Sequence, residues 1–100
     1  LTDLIRHVFD HDHPTRAGHF PGNPIIPGAT ILREVAAALV GASGQVVRGF
    51  PWVKFLQPLR PGDAIDIEWT ELHDGAVRFA CILDGSGTKA VTGAMRMGPP

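Results

Sequence analysis

The chain has 100 residues, 44% hydrophobic and 19% charged, with 12 Gly, 9 Pro and a single Cys. This composition fits one globular domain over residues 1–100, rich in tight turns, and excludes a disordered chain, a second core and an internal disulfide. A net charge of −1 with nine scattered Lys and Arg residues provides no electrostatic footprint for nucleic acid.

Leu4 to Phe9 reads as a short strand, and a polar loop from Asp10 to Gly18 then delivers His19. Prolines at 21, 24 and 27 fix φ and restrict the residue before each. The run from Phe20 to Pro27 is therefore extended and stiff, and it leads into a helix whose first amide, at Gly28, is uncovered. Between Ala29 and Val40, residues Ile31, Leu32, Val35, Ala38 and Leu39 recur at helical spacing. Thr30, Arg33, Glu34, Ala37 and Gly41 gather on another stripe. The spacing predicts a helix of about three turns, with Gly41 as its C-terminal cap. The apolar stretch Ile31 to Val40 contains Arg33 and Glu34 and is too short for a bilayer. With no signal peptide read either, the expectation is a cytoplasmic protein with no membrane partner.

Four strands are predicted after the helix: Val46 to Leu56, Asp63 to Leu72, Ala76 to Leu83 and Thr88 to Met97. Pro61-Gly62 suits a type II turn, Asp74-Gly75 a two-residue hairpin, and Asp84-Gly85-Ser86-Gly87 a looser one. Ile65, Ile67 and Trp69 alternate with Asp66, Glu68 and Thr70, and Val77, Phe79, Cys81 and Leu83 repeat the pattern. One sheet face is thus buried and one wetted. A strand, one central helix and a four-strand meander make an α+β layout, with the helix covering one face of an antiparallel sheet. Cys81, at an inward position, reads as a buried inert thiol.

The chemistry-bearing residues are few. His19 is a candidate base because imidazole titrates near neutral pH and the proline run limits its motion; a structural loop histidine is the other reading. Gly28 lies at a helix N-terminus, where unpaired N–H groups and a partial positive charge can receive an oxyanion; a glycine needed only for the turn fits the same residues. His7, His11 and His13 alternate as a metal cluster would, but no Cys or carboxylate at ligand spacing accompanies them, so neither metal nor other cofactor is expected. His73 reads as turn surface.

Gly18-His19-Phe20-Pro21-Gly22-Asn23-Pro24-Ile25-Ile26-Pro27-Gly28, the lead-in Asp12-His13-Pro14, and Val53 through Asp63 resemble the hotdog-fold 3-hydroxyacyl-(acyl carrier protein) dehydratases, the FabA/FabZ-like family. Seven of the eleven residues in the first block are Gly, Pro or His, which makes it the specific part of the resemblance. The resemblance covers most of the chain. It implies a curved antiparallel sheet wrapped around one central helix, paired as a double-hotdog dimer with sites at the subunit interface. It further implies acyl carrier protein as the partner that carries the substrate, and no cofactor. Small-domain size independently favours a shared interface.

Dehydration of a 3-hydroxyacyl thioester needs a base, an acid and a donor for the carbonyl oxygen. By resemblance His19 is the base and the Gly28 amide the donor; Phe20 and Pro27 are candidate substrate contacts, and Arg33, whose guanidinium can hold an anionic group, is a third. The family places a Glu or Asp fourteen positions after the histidine, facing the partner subunit's histidine. Here that position is Arg33, a poor proton donor, with Glu34 one residue further and about 100° around the helix. Three readings stand open: Glu34 replaces the acid, with Arg33 beside it; Arg33 marks a catalytically degenerate subunit that binds thioesters or pairs with a carboxylate-bearing paralogue; or the two form a pair without chemical work. Thioester hydrolysis is a further alternative. Trp52, Phe55 and Trp69 are core or interface aromatics, or walls of an acyl tunnel.

Overall fold

The computed structural model describes residues 2–9 and 25–100. Among them lie strand β1 (Thr2–Val8), helix α1 (Gly28–Ser43), and strands β2 (Val46–Phe55), β3 (Ala64–Glu71), β4 (Ala76–Leu83) and β5 (Lys89–Gly98). All strand pairs are antiparallel, in the order β1-β3-β4-β5-β2. The α+β arrangement of one helix on one antiparallel sheet is the one expected.

The meander is shorter than the sequence suggests. Strands β3, β4 and β5 follow one another, but β2 pairs with β5 and not with β3. The connection after β2 is no hairpin. The amides of Leu56 and Gln57 both donate to the Ala90 carbonyl at 2.8 and 3.2 Å, and the chain then crosses to β3, beside β1. There the Gly62 amide donates to Phe9 O at 2.7 Å and the Phe9 amide to Asp63 O at 2.8 Å. Pro51 is tolerated in β2 because this is an edge strand, with register shifts against β5 on both sides of Gly49.

Local turn chemistry behaves as its residues require. Gly62 has φ 96° and the Asp63 amide donates to Arg60 O at 3.0 Å, as in a type II turn. Asp74 and Gly75 both have positive φ, 61° and 74°, and close the β3–β4 hairpin. The helix runs three residues beyond the expected end at Val40. Its left-handed cap is Gly44, φ 72°, whose amide donates to Val40 O at 2.9 Å, so Gly41 is a helical residue and not the cap. Ser43 supports this later ending, since its Oγ donates to Leu39 O at 2.7 Å and accepts from the Gln45 amide at 3.2 Å.

The core lies between helix and sheet. Ile31, Val35 and Leu39 from α1 join Ile65, Ile67, Phe79, Cys81, Val91 and Met95 from the strands in one buried cluster. Each large aliphatic side chain so buried contributes roughly 1.5–3 kcal/mol before entropy is counted. Thr30, assigned by spacing to the stripe of Arg33 and Glu34, is buried at 8% exposure, so that stripe is split between core and surface. No helix among the described residues is long and apolar enough to cross a membrane.

Candidate active site

The start of α1 is pinned to the β2–β3 connection. Ile26 donates its amide to Leu59 O at 2.7 Å, and Pro27 acts as N-cap with φ −60° and ψ 146°. Pro27 O accepts from the Thr30 and Ile31 amides at 3.0 and 3.1 Å, and no side chain caps the helix. The first amides, that of Gly28 among them, therefore lack an intrahelical acceptor and carry the positive end of the helix dipole. Beside them lies an apolar cavity of about 350 Å³, lined by Ile25, Ile26, Gly28, Ile31, Phe55 and Leu59. A smaller hollow of about 180 Å³ among Trp52, Glu68, Thr70 and Arg78 opens on the wetted sheet face, away from the helix amides.

Gly28 is not required by backbone conformation, since its φ is not positive. What occupies the space is Phe55: a Cβ at position 28 would lie 2.7 Å from Phe55 Cζ, so the ring would have to shift. The phenyl ring rests on the glycine and forms one wall of the cavity. Phe55 and Trp52 are 52% and 45% exposed, so neither is a core aromatic of this chain, whereas Trp69 is buried. The indole Nε1 of Trp69 has no hydrogen-bond partner among the described residues.

Arg33 and Glu34 diverge. Arg33 is exposed, and Glu34 is half-buried on the rim of the helix that turns toward β1. There Glu34 Oε2 lies 3.7 Å from His7 Nε2, with the two side chains 34% and 29% exposed. The His7 ring also stands edge-on to Phe9, centroids 4.7 Å apart at 76°. This contact is absent from the sequence reading, although His7 carries a signal: it holds an inward strand position between Ile5 and Phe9, where an apolar residue is the default. His7 thus faces a carboxylate, and it is the one member of the His7, His11 and His13 row among the described residues.

His19 and Phe20 lie outside the described residues, as do His11 and His13. Of the other expected site residues, Gly28 lines the cavity, Pro27 is exposed at the helix cap, and Arg33 and Glu34 lie on α1. Cys81 is fully buried and burial pushes its thiol up to about 12, so it is no nucleophile. His73 is exposed beside the Asp74-Gly75 turn.

Comparison with known proteins fits this arrangement. Residues 4–94 match the ApeI-like family, described as the ApeI dehydratase. A 3-hydroxyacyl-(acyl carrier protein) dehydratase FabZ from Thermomicrobium roseum is 34% identical over 93 aligned positions, covering 84% of this chain and 60% of that protein. A FabZ from Psychromonas ingrahamii is 33% identical, with 79% and 61% covered. The chain thus spans about three fifths of the length of these curated relatives. Among solved structures, the dehydratase heterocomplex ApeI:P from Xenorhabdus doucetiae matches with TM-score 0.79 at 24% identity, over 96% of this chain and 86% of that one. An R-hydratase from Pseudomonas aeruginosa matches with TM-score 0.72 at 16% identity, over 100% and 80%. The fold is the hotdog fold, and by the match across residues 4–94 this chain belongs to the ApeI-like dehydratase family.

Proposed function

We propose that the protein eliminates water from 3-hydroxyacyl thioesters carried by acyl carrier protein, in the cytoplasm and as a dimer whose sites lie between subunits. The observation that carries this reading is the uncapped helix start at Gly28, opening on an apolar cavity fit for an acyl chain. In the reaction the His19 imidazole takes the α-proton while the Gly28 N–H donates to the thioester carbonyl oxygen as enolate charge grows. The Glu34 carboxyl gives its proton to the departing hydroxyl, which leaves as water, and a 2-enoyl thioester remains. Pro27, Phe20 and Arg33 complete the substrate contacts. The ring of Phe55 on Gly28 supports the reading further, because it keeps the helix amides on an apolar, partly dry surface.

The test is turnover of a 3-hydroxyacyl-(acyl carrier protein) followed by enoyl absorbance. His19→Ala and Glu34→Gln are each expected to lower kcat by about 10²–10⁴, the usual range for general acid–base groups. Full activity in Glu34→Gln would sink the assignment of the acid.

One observation favours a second reading. Arg33, at the position where the family carries its carboxylate, is exposed on the helix, and its guanidinium does not release a proton at neutral pH. In this reading the chain binds thioesters but completes a site only with a carboxylate-bearing paralogue, as a heterodimer of the kind that the Xenorhabdus complex's description suggests. An inactive homodimer that gains activity on mixing with such a paralogue supports it; activity of the homodimer alone counts against it.

A further inference from the structure

We infer that His7 is a positioning residue for Glu34, holding its carboxyl group at the β1 rim of the helix in the orientation from which it serves the reaction. The inference deepens the reading of Glu34 as acid and rests on it.

Strand β1 turns Ile5 and His7 toward the helix side, where both are half-buried, and Phe9, just past the strand's end, is buried in the same row. His7 is the polar member of that row. Its ring is steadied by the edge-on contact with Phe9, and across the sheet its register partner is the buried Ile65 of β3. The ring edge that remains, Nε2, meets Glu34 Oε2 at 3.7 Å. That distance is longer than a hydrogen bond, and a small closing movement brings the two atoms within one.

From the helix side the same contact has a restricted geometry. Glu34 follows the buried Thr30 by four residues and precedes the half-buried Ala38 by four, so its stem runs along the packed rim while its carboxylate remains a third exposed. A glutamate on a solvated helix face samples many rotamers. Here an imidazole anchored in a strand limits that sampling through one of the two carboxyl oxygens, Oε2. Arg33, adjacent in sequence, is exposed, and no ion pair joins it to His7 or Glu34 among the described residues.

The experiment compares wild type, His7→Phe, His7→Gln, Glu34→Gln and the double variant His7→Phe/Glu34→Gln, reading kcat and KM separately. Phe keeps a ring against Phe9 and removes the polar edge; Gln restores a nitrogen near the place of Nε2. His7→Phe is expected to lower kcat about tenfold with KM within about twofold, since misplacement of a catalytic group by a fraction of an ångström is felt mainly in turnover. His7→Gln recovers most of that loss, and His7→Phe adds nothing in the Glu34→Gln background. Wild-type kcat in His7→Phe, or the same loss in both backgrounds, overturns the inference.

A second readout is independent of turnover: an NMR cross-relaxation signal between the His7 ring protons and the Glu34 methylenes. Its absence overturns the contact even in an active enzyme. An inactive wild type with that signal intact instead sinks the assigned reaction, and the positioning role with it, while leaving the contact in place. Full activity in Glu34→Gln likewise removes the acid and its positioner together.

Discussion

A Cβ at Gly93 would lie 2.7 Å from Cε1 and Cζ of Phe79 and 2.9 Å from the Trp52 carbonyl oxygen, while one at Gly28 would lie 2.7 Å from Cζ of Phe55. Both glycines thus carry a phenyl ring where a side chain would begin. Phe79 is 1% exposed and packs edge-on to Phe50 at 6.1 Å, so its ring has no free direction, and the Trp52 backbone closes the remaining side. Phe55 is 52% exposed and can swing out. The same local contact therefore belongs to the packing of the sheet in one region and to the wall of an apolar cavity in the other. Stability should respond at the first and activity at the second.

Three measurements sharpen or break that contrast. The largest stability effect is expected from Gly93→Ala, which overpacks a site with no outlet and should cost about 1–3 kcal/mol in the denaturant midpoint. Labelling of the buried Cys81, whose thiol is held protonated, should speed up in parallel, because the reagent reaches it only on opening. A neutral Gly93→Ala would mean that the Phe79 ring is less constrained than its burial indicates. Gly28→Ala should change stability by less than about 1 kcal/mol, helix propensity offsetting the displaced ring, yet lower kcat by about tenfold or more as the methyl group crowds the amide proposed as donor. Equal losses of stability and activity there would erase the distinction between the regions.

The smallest effect belongs to the exposed network in which Arg6 donates to Asp84 at 2.7 Å and to Asp66 at 3.3 Å. The hydrogen bond and charge of Arg6 hold the Asp84 carboxyl below its ordinary range. A depressed folded value means stability that is present above the ordinary carboxylate range and lost as pH falls through the depressed one. Asp84→Asn should remove this contribution at neutral pH and leave the acid end of the pH–stability curve unchanged, a difference that high salt shrinks. A larger loss at low pH than at neutral pH would contradict the sign.

What the sequence made legible was local. Ala76 to Leu83 is a strand with those bounds because alternation and the Asp74-Gly75 turn act within a few residues. The pairing of β2 with β5 was not legible, since it depends on where a proline-bearing connection carries the chain. At the helix end Gly41 and Gly44 offer the same local freedom, and the choice of Gly44 emerges from the Ser43 hydrogen bonds and the packing of Leu39. At Gly28 the sequence offered an amide donor or a turn into the helix as reasons for a glycine; the ring that lies where its Cβ would begin comes from Phe55, distant in sequence, and no local pattern announces it. The separation of Arg33 from Glu34 likewise depends on the phase of the helix against β1, which a helical wheel leaves undetermined.

The turn at Arg60 to Asp63 has one more consequence. Phe9 exchanges hydrogen bonds with Gly62 and Asp63, and Ile26 is bonded to Leu59, so the stretch 10–24 that carries His19 leaves from and returns to a single five-residue anchor, 59–63. Its two ends are closed by the same clasp. Added length in that stretch would raise the closure entropy only logarithmically, whereas loosening the clasp would release both flanks at once. Tolerance to insertion between the flanks and sensitivity to a distant point change can therefore coexist, with the sensitive position some forty residues downstream of His19 in the sequence.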